Sequence, residues 1–322
     1  MTRFRLMACA LIALSSAAAS AQDWPARTVR IVVPFGAGSS PDILARVIND
    51  KLAARLGQPV IVENKPGAGG NSGTDLVAKA APDGYTFLLS VNAPLVYNTV
   101  LYKRLPYDPF RDLAPVTLAA TTPNVCAVSN GMGVDSVKGW LEALKRNPGQ
   151  YNFASTGSGS IAHLGVELIK ARTKSFAVHI PYASSGQAVT AIIAGDVHFA
   201  CLPPVAIMPQ AKAGRLKALA VTSAERFDLL PELPTLRESG IADIQAEPWF
   251  AYMAPQGTPP EVVQRMSREI SAVLKDPETR QRLQGAYFNP VGGTPQELAK
   301  FMKEELARWK PVIERAGLKP EN

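Results

Sequence analysis

The segment from Val29 to Gly57 constrains the fold of this chain more than any other. Its first five residues are β-branched and apolar apart from one arginine, which predicts a largely buried strand. A loop of small uncharged residues follows from Pro34 to Pro41, and a helix with apolar residues mostly three and four positions apart begins at Asp42. Such a unit directs free backbone N–H groups and the positive end of the helix dipole at a ligand. We therefore predict a site for a carboxylate or another small anion.

The first 21 residues have the three parts of a secretory signal peptide. Arg3 and Arg5 form a basic n-region, Leu6 to Leu14 is an apolar run too short to span a bilayer, and Ala19 to Ala21 is a cleavage site. No later segment approaches the roughly 20 apolar residues of a membrane helix. We expect a soluble mature protein, exported to the periplasm of a bacterium.

The charges of the chain are scattered, which argues against nucleic-acid binding. There are 34 basic and 27 acidic residues, and loss of Arg3 and Arg5 with the leader leaves 32 against 27, a net charge of +5. Because these charges form no run, we expect no nucleic-acid partner. The mature chain of about 300 residues is too long for one ordinary α/β core and predicts two lobes.

Two cysteines, Cys126 and Cys201, remain once the leader is removed. An oxidising compartment permits a disulfide between them. Two buried free thiols on neighbouring strands fit the sequence at least as well, so both alternatives stay open.

Strand-like runs alternate with helical ones along the chain, which is typical of doubly wound α/β architecture. A loop containing Asn92 is predicted after the third strand. The predicted strands lie at 29–33, 60–64, 86–90, 125–129, 151–155, 177–182, 197–202 and 216–223. The predicted helices lie at 42–56, 74–80, 136–146, 161–173, 187–194, 211–214, 260–275, 277–283 and 295–316.

Nine short segments occur in the order typical of one protein family. They read WPARTVRIVVPFGAGSSPD, LGQPVIVENKPGAGG, APDGYTFLLS, LPYDPFRDLAPV, YNFASTGSGSIAHL, HIPYASSGQA, AGRLKALAVTS, LPELPTLRESG and ELARWKPVIERAG. With them the whole mature chain resembles the Bug family (Bordetella uptake gene products), the periplasmic substrate-binding proteins of tripartite tricarboxylate transporters. The resemblance implies an α/β, two-lobe type II periplasmic-binding fold whose lobes are sheets flanked by helices and close on one small organic acid.

The predicted domain organisation follows from this resemblance. Residues 1–21 form the signal peptide, residues 22–122 and 243–322 form lobe 1, and residues 123–242 form lobe 2. The chain is expected to cross between the lobes at 121–123 and at 245–249.

The resemblance places the first ligand loop at Phe35 to Asp42. Gly38 and Asp42 keep the family pattern, whereas Ser39 and Pro41 depart from it. We predict that Asp42 caps the helix and holds the loop, because it would repel a carboxylate. Ser39 and Ser40 are predicted to donate hydroxyl hydrogen bonds, or else to be exposed turn residues. The predicted ligand residues of lobe 1 are Phe35, Ala37, Gly38, Ser39, Ser40, Asp42, Ser90 and Asn92.

A second small-residue loop from Ser155 to Ser160 precedes another helix and is predicted to face the first across a cleft. It contains a G-x-G-x-x-A pattern, but the next strand ends at Tyr182 without the acidic residue that a dinucleotide site needs. We reject a nicotinamide cofactor and predict no cofactor. The predicted ligand residues of lobe 2 are Ser155, Thr156, Gly159, Ser160, His163, Tyr182, Ser184 and Leu202.

Leu202 is the departure from the family that bears most on the ligand. Many relatives carry an aspartate there, and a buried carboxylate would pair with a ligand ammonium, which leucine does not. We therefore expect a carboxylate ligand without an amino group.

Catalytic and metal motifs are not found in the sequence. The three histidines, His163, His179 and His198, form no recognised zinc motif, and no Gly-x-Ser-x-Gly follows a strand. We predict no metal and no enzymatic activity. Three function classes remain: a monomeric receptor delivering a small organic acid to membrane permease subunits of a tripartite tricarboxylate transporter, the same receptor reporting to a signalling protein, and an exported α/β enzyme.

Overall fold

The computed structural model describes residues 24–242 and 244–315 and contains two β-sheets flanked by helices. The predicted signal peptide lies outside the described residues. The strands are β1 (Val29–Val33), β2 (Val60–Asn64), β3 (Thr86–Val91), β4 (Leu113–Thr121), β5 (Val125–Ser129), β6 (Asn152–Ser155), β7 (Val178–Pro181), β8 (Phe199–Leu202), β9 (Leu216–Val221), β10 (Trp249–Pro255) and β11 (Asn289–Pro290).

The helices connect these strands and cover the sheets. They are α1 (Ser40–Leu56), α2 (Asn71–Ala78), α3 (Asn98–Leu101), α4 (Val137–Arg146), α5 (Ile161–Thr173), α6 (Ser185–Ala194), α7 (Pro204–Lys212), α8 (Pro260–Lys275), α9 (Pro277–Gly285) and α10 (Pro295–Arg315). Short 3₁₀ turns cover Ala68–Gly70 and Asn130–Met132, and a π-helical turn covers Ala93–Tyr97. Among the described residues, no helix is both long and apolar enough to cross a bilayer.

Each sheet has a parallel part and an antiparallel part. The six-stranded sheet of lobe 1 has the order β11-β4-β10-β3-β1-β2, in which β1 pairs in parallel with both β2 and β3. The five-stranded sheet of lobe 2 has the order β7-β6-β8-β5-β9, in which β6 pairs in parallel with both β7 and β8. The carboxyl ends of the parallel strands therefore lie together at one edge of each sheet.

The first strand–loop–helix unit forms as predicted. Strand β1 is buried, and helix α1 packs Leu44, Ile48 and Leu52 against it in one apolar cluster. The helix begins at Ser40 rather than at Asp42, because Pro41 suits the first turn, where a missing N–H costs no hydrogen bond. It ends at Leu56 and is followed by Gly57, whose φ of 71° lies in the left-handed region that glycine adopts without a steric penalty.

Other predicted elements need correction. The prediction lacks strands β4 and β10, yet they pair with each other in the interior of the lobe 1 sheet. The short helix predicted at 211–214 corresponds to α7, which instead begins at Pro204 and ends at Lys212. Pro209 lies inside this helix, and a proline in the sequence argues against a helix interior. Asn92 lies at the start of the π-helical turn and not in an open loop.

The chain passes from the lobe 1 sheet to the lobe 2 sheet between β4 and β5 and returns between β9 and β10. Hydrogen bonds tie the two passages together at 122–124 and 222–248. Thr122 N–H donates to Pro248 O at 3.0 Å, and Asn124 N–H donates to the Thr222 hydroxyl oxygen at 2.9 Å. The exact lobe boundaries stay a prediction.

A disulfide joins Cys126 of β5 to Cys201 of β8. The two residues are direct partners in the antiparallel register, and both are buried. The structure thus selects the disulfide from the two alternatives that the sequence left open.

Candidate functional site

The predicted ligand residues lie at the carboxyl edges of the two sheets. In lobe 1, β1 leads into the loop from Phe35 to Ser39, and the neighbouring β3 ends with Ser90 and Val91. In lobe 2, β6 ends at Ser155 and β8 ends at Leu202. Ligands of open α/β sheets bind at this edge, where loops and helix N-termini converge.

The first loop is held in shape by the buried carboxylate of Asp42. This carboxylate accepts a hydrogen bond from Gly38 N–H at 2.9 Å, from Asn64 Nδ2 at 3.0 Å and from Arg46 Nε at 2.9 Å. Burial raises the pKa of Asp42, but the hydrogen bonds from Arg46, Gly38 and Asn64 outweigh it and hold this pKa below its ordinary value. Asp42 therefore holds the loop as expected, while the residue that precedes the helix is Ser39, so Asp42 is not its N-cap.

Two serines of lobe 1 carry hydroxyl groups without partners. The oxygen atoms of Ser39 and Ser90 are buried, and neither forms a hydrogen bond with another described residue. An unpaired buried hydroxyl costs about 1–3 kcal/mol. Since Ser39 opens α1 and Ser90 lies in the adjacent β3, both hydroxyls are available at this sheet edge to donate to a ligand.

Phe35 forms a wall of the same region. A Cβ atom added at Gly70 would lie 2.8 Å from Phe35 Cζ and 2.8 Å from Pro94 Cγ, so only glycine allows this close packing. Ala37 and Gly38 are exposed, and Ser40 is half-buried in the first turn of α1. The 3₁₀ turn Ala68–Gly70 therefore supports the first loop by packing against Phe35.

The second loop is held by two stacked histidines. The rings of His163 and His179 lie 3.7 Å apart and nearly parallel, and His163 Nδ1 accepts a hydrogen bond from Gly159 N–H at 3.0 Å. Burial, followed by the charges of His179 and Lys170, lowers the pKa of His163 to about 3. His163 is therefore neutral at physiological pH, and its role is to hold Gly159.

Ser155 is saturated by neighbours within its own lobe. Its hydroxyl oxygen lies 2.6 Å from His179 Nε2, accepts from Gly157 N–H at 3.1 Å and lies 3.0 Å from Gly157 O. A hydroxyl with these three partners has no free proton or lone pair directed at a substrate. Ser155 thus fixes the loop, as His163 does.

Three other predicted residues are also used within the protein. Asn92 Nδ2 donates to Tyr97 OH and to Glu247 O, which ties the end of β3 to the returning passage. Ser160 and Ser184 are the N-caps of α5 and α6, and their hydroxyl oxygens accept backbone N–H groups. Each cap hydroxyl keeps its own proton for donation to a ligand.

Of the remaining predicted residues, Thr156 and Tyr182 are half-buried and Leu202 is fully buried. Tyr182 and Leu202 both pack in the apolar cluster of lobe 2. These positions are consistent with a cleft wall at Thr156 and with an apolar support at Leu202.

The two edges meet through the second loop. A Cβ atom added at Gly159 would collide with Leu101 Cδ1 of α3, and Ile161 and Leu164 of α5 share an apolar cluster with Leu101. The loop of lobe 2 therefore contacts the helix that follows β3 of lobe 1.

Asn98 and Asn124 are residues of this region that the sequence analysis missed. Asn98 donates to Asn71 Oδ1 at 2.6 Å while its own Oδ1 is buried without a partner, beside Gly159. Asn124 is 1% exposed, and neither end of its side-chain amide has a partner among the described residues. It precedes β5, whose Val125 pairs with Leu202, so it lies at the carboxyl end of β8. The signal available in the sequence was the position of Asn124 directly before the predicted strand at 125–129.

Two cavities of about 600 Å³ and 350 Å³ lie elsewhere, and no predicted ligand residue lines either of them. The described residues bring together no group of three or more metal-ligating side chains.

Buried unpartnered polar atoms also occur outside the region, at Trp140 for example. What distinguishes the facing sheet edges is that four such residues, Ser39, Ser90, Asn98 and Asn124, lie there.

Comparison with known proteins places this geometry in a family context. Residues 44–318 match the family described as the tripartite tricarboxylate transporter family receptor, TctC. The chain is 38% identical to protein BugT of Bordetella pertussis over 99% of both chains. The structure of R. palustris Rpa4515 with adipate has a TM-score of 0.89 at 34% identity, covering 93% of this chain and 100% of that one. MatC (Rpa3494) of Rhodopseudomonas palustris with bound malate has a TM-score of 0.83 at 30% identity, covering 90% and 100%.

Proposed function

This chain belongs to the tripartite tricarboxylate transporter receptor family, and we propose that it captures a small carboxylate between its two lobes for uptake by a permease. Family membership confirms the resemblance predicted from the sequence, and the neighbouring structures confirm the two-sheet α/β fold. The proposal adds the ligand class, the residues that bind it and the permease partner.

The observation that carries the proposal is the set of buried unpaired polar groups at the two sheet edges. Hydroxyls of Ser39 and Ser90 come from lobe 1, and the amide of Asn124 lies where the chain enters lobe 2. These groups are uncharged, and the nearby carboxylate of Asp42 is already paired with Arg46. A ligand carboxylate would therefore be held by hydroxyls, amides and helix N-termini, with its charge balanced by dipoles.

The rest of the loop residues act by positioning these donors. Asp42 fixes the first loop through Gly38, and His163 fixes the second through Gly159. Because both loops are held by bonds within their own lobes, ligand binding requires little ordering of the backbone. The ligand contacts both lobes only when they are closed, so binding shifts the hinge equilibrium toward closure.

The neighbouring structures bound to adipate and malate support a carboxylate as the ligand class, although they describe other proteins. Fully buried Leu202 offers no charge to a ligand ammonium, which favours acids without an amino group. The family supports a periplasmic location reached through the leader at residues 1–21, with a tripartite permease as partner.

Enzymatic activity is not part of the proposal. The serine and histidine that lie within hydrogen-bond distance, Ser155 and His179, are saturated by loop contacts, and Ser155 is fully buried. A nucleophile needs a free, exposed oxygen beside its base.

Thermal unfolding of ligand-stripped mature protein tests the proposal. The panel contains adipate, malate, citrate, benzoate and the amino acid glutamate. Ligand at about a thousand times its dissociation constant adds roughly 4 kcal/mol, so one class of acids should raise the Tm clearly. Ser90→Ala should lose about half of that rise, and its Tm without ligand should not fall, because the hydroxyl that it removes has no partner among the described residues. No rise with any acid, in protein shown to be folded, would reject the carboxylate receptor.

A further inference from the structure

The side-chain amide of Asn124 is buried with both of its ends unpaired. Asn124 is 1% exposed, and neither Nδ2 nor Oδ1 has a hydrogen-bond partner among the described residues. Nδ2 can only donate a hydrogen bond and Oδ1 can only accept one. The amide therefore offers a donor and an acceptor side by side.

The backbone around Asn124 fixes the position of this amide. Asn124 N–H donates to the Thr222 hydroxyl oxygen at 2.9 Å, and Thr222 N–H donates to Asn124 O at 2.9 Å. Within β5, the disulfide from Cys126 to Cys201 ties the same strand to β8. Since both backbone groups of Asn124 are paired, its side-chain amide is the part of the residue that remains for a ligand.

The register of β5 and β8 places Asn124 beside the N-terminus of α7. Val125 pairs with Leu202 in the antiparallel ladder, so Asn124 lies opposite Pro203, the residue that precedes α7. A helix N-terminus favours a negatively charged group, and Nδ2 of the amide can donate to the same group. A ligand carboxylate bound here leaves Oδ1 without a partner, because a carboxylate has no proton to donate.

The amide oxygen of Asn124 therefore needs a second ligand group that carries a proton. A hydroxyl on the carbon atom next to the carboxylate supplies it, because the carboxylate accepts from Nδ2 while the hydroxyl donates to Oδ1. An ammonium group on that carbon atom would have the same spacing from the carboxylate. It would, however, bring a full charge beside Leu202, which is fully buried and apolar.

We propose, on the premise that the two sheet edges bind a carboxylate as described above, that the ligand is a 2-hydroxy acid whose hydroxyl and carboxylate are both recognised by Asn124. An acid of the same carbon skeleton without the hydroxyl binds about tenfold more weakly, since it leaves a buried acceptor unpaired. The hydroxyls of Ser39 and Ser90 do not set this preference, because they can donate to the carboxylate of either acid.

Sets of acids that share one carbon skeleton test the proposal. Each set contains a 2-hydroxy acid as both enantiomers, the unsubstituted acid and the 2-amino acid. The sets are malate, succinate and aspartate; 2-hydroxyglutarate, glutarate and glutamate; 2-hydroxyadipate, adipate and 2-aminoadipate; and mandelate, phenylacetate and phenylglycine. Calorimetric titration of ligand-stripped mature protein measures each Kd. In the set that binds most tightly, one enantiomer of the hydroxy acid should bind about tenfold more tightly than the other two acids.

Variants of Asn124 connect this preference to the amide. Asn124→Leu removes both unpaired groups and keeps a side chain of similar shape. The preference for the hydroxy acid should fall below about twofold, while the Tm without ligand should not fall, because no partner among the described residues is lost. Asn124→Ala should give the same ratio of Kd values if leucine does not fit.

Asn49→Leu is the matched control for these variants. Asn49 Oδ1 is also buried without a partner in the described part of the chain. The residue lies well inside α1, about 14 Å along the helix from its first residue, Ser40. This variant should keep the wild-type preference for the hydroxy acid.

The outcomes separate this proposal from the proposed function. Equal binding of the hydroxy acid and the unsubstituted acid, or tightest binding of the amino acid, overturns the 2-hydroxy acid and leaves a carboxylate receptor. An unchanged preference in folded Asn124→Leu overturns the role of Asn124, because another residue must then recognise the hydroxyl. Failure of every acid to bind rejects both proposals.

Discussion

At the scale of single residues, Asp42 places a carboxylate beside a site proposed for an anion. Arg46 and Asn64 hold this carboxylate on the side of α1, and its remaining hydrogen bond fixes Gly38. The negative charge is thus neutralised where it lies, and the loop gains its shape. Charge repulsion of the ligand is avoided because the ion pair with Arg46 belongs to the fold.

Asp42→Asn should lower the free energy of unfolding by about 1–2 kcal/mol at pH 7, because the neutral amide loses the charge-assisted bonds. The folded-state pKa of Asp42 is depressed, so its contribution is present above the unfolded pKa of about 3.9. This contribution is lost as the pH falls through the lower folded pKa. Urea unfolding should therefore show that the free energies of unfolding of wild type and Asp42→Asn differ less at pH 3 than at pH 7.

Asp50→Asn is the control for this prediction, since Asp50 is an exposed carboxylate of the same helix. It should change the stability by less than about 0.5 kcal/mol at either pH. Equal stability of wild type and Asp42→Asn at pH 7 would show that the carboxylate does not hold the loop.

Residue types indicated the two loops, but not which side chains remain free to bind. Ser39 and Ser155 both occupy small-residue loops before helices. In the described part of the chain Ser39 has no partner, whereas Ser155 is saturated by Gly157 and His179. That difference depends on His179, which is 24 residues from Ser155 and reaches it only through the pairing of β6 with β7. Long-range pairing of this kind is not visible in local sequence.

At the scale of elements, the loop between β6 and α5 forms one of the contacts between the lobes. Gly159→Ala places a Cβ against Leu101, and the residue has a φ of +74°. Gly149→Ala is a matched control, with a φ of +87° but no atom within 4 Å of the added Cβ. The control should lose about 1–2 kcal/mol from backbone strain.

Gly159→Ala should lose more stability than this control and should also bind the carboxylate more weakly, because it pushes the second loop away from α3. Thermal unfolding and calorimetric titration of both variants measure the two effects. If both variants bound the acid as wild type does, the contact with Leu101 would have no part in closure.

The disulfide between β5 and β8 closes a long loop, with a sequence separation of 75. Replacing Cys126 and Cys201 together by alanine should lower the stability by about 2–4 kcal/mol, which guanidinium unfolding would measure. Under a strong reductant, wild type should approach the double variant. Unchanged stability after both treatments would mean that the disulfide does not form in the folded protein.

The sequence predicted the helices whose apolar pattern is local, but it missed the strands whose pattern depends on their place in the sheet. Helices α5 and α8 have the predicted limits, because their apolar residues follow a helical period. Strand β4 contains Pro115 and several alanines, and β10 is buried along its whole length without alternation. Their strand character comes from pairing with each other in the interior of the sheet.

At the scale of the whole molecule, the two passages between the lobes form the hinge of the proposed clamp. Thr222 binds both Asn124 and Ala246, so the outgoing and returning chains move together. The side-chain amide of Asn124, which finds no partner within residues 24–242 and 244–315, lies next to this hinge. Ligand contact at Asn124 would therefore act directly on the segment that sets the angle between the lobes.

Small-angle X-ray scattering should detect the resulting closure. The ligand-free protein is expected to have a larger radius of gyration than the protein with a saturating carboxylate, because only the closed form contacts the ligand from both sides. An acid that fails to stabilise the protein thermally is the control and should leave the scattering unchanged. Binding with no change in the radius would argue for a rigid cleft.

The central claim is that uncharged donors of both lobes recognise a carboxylate. Calorimetric titration of the mature protein with the most stabilising dicarboxylate and with its uncharged diamide tests this most directly. The two compounds have nearly the same shape, so the claim predicts tight binding of the acid and at least a hundredfold weaker binding of the diamide, from two lost charge-assisted interactions. Equal affinities would contradict it, because the cleft would then recognise shape and not the anion.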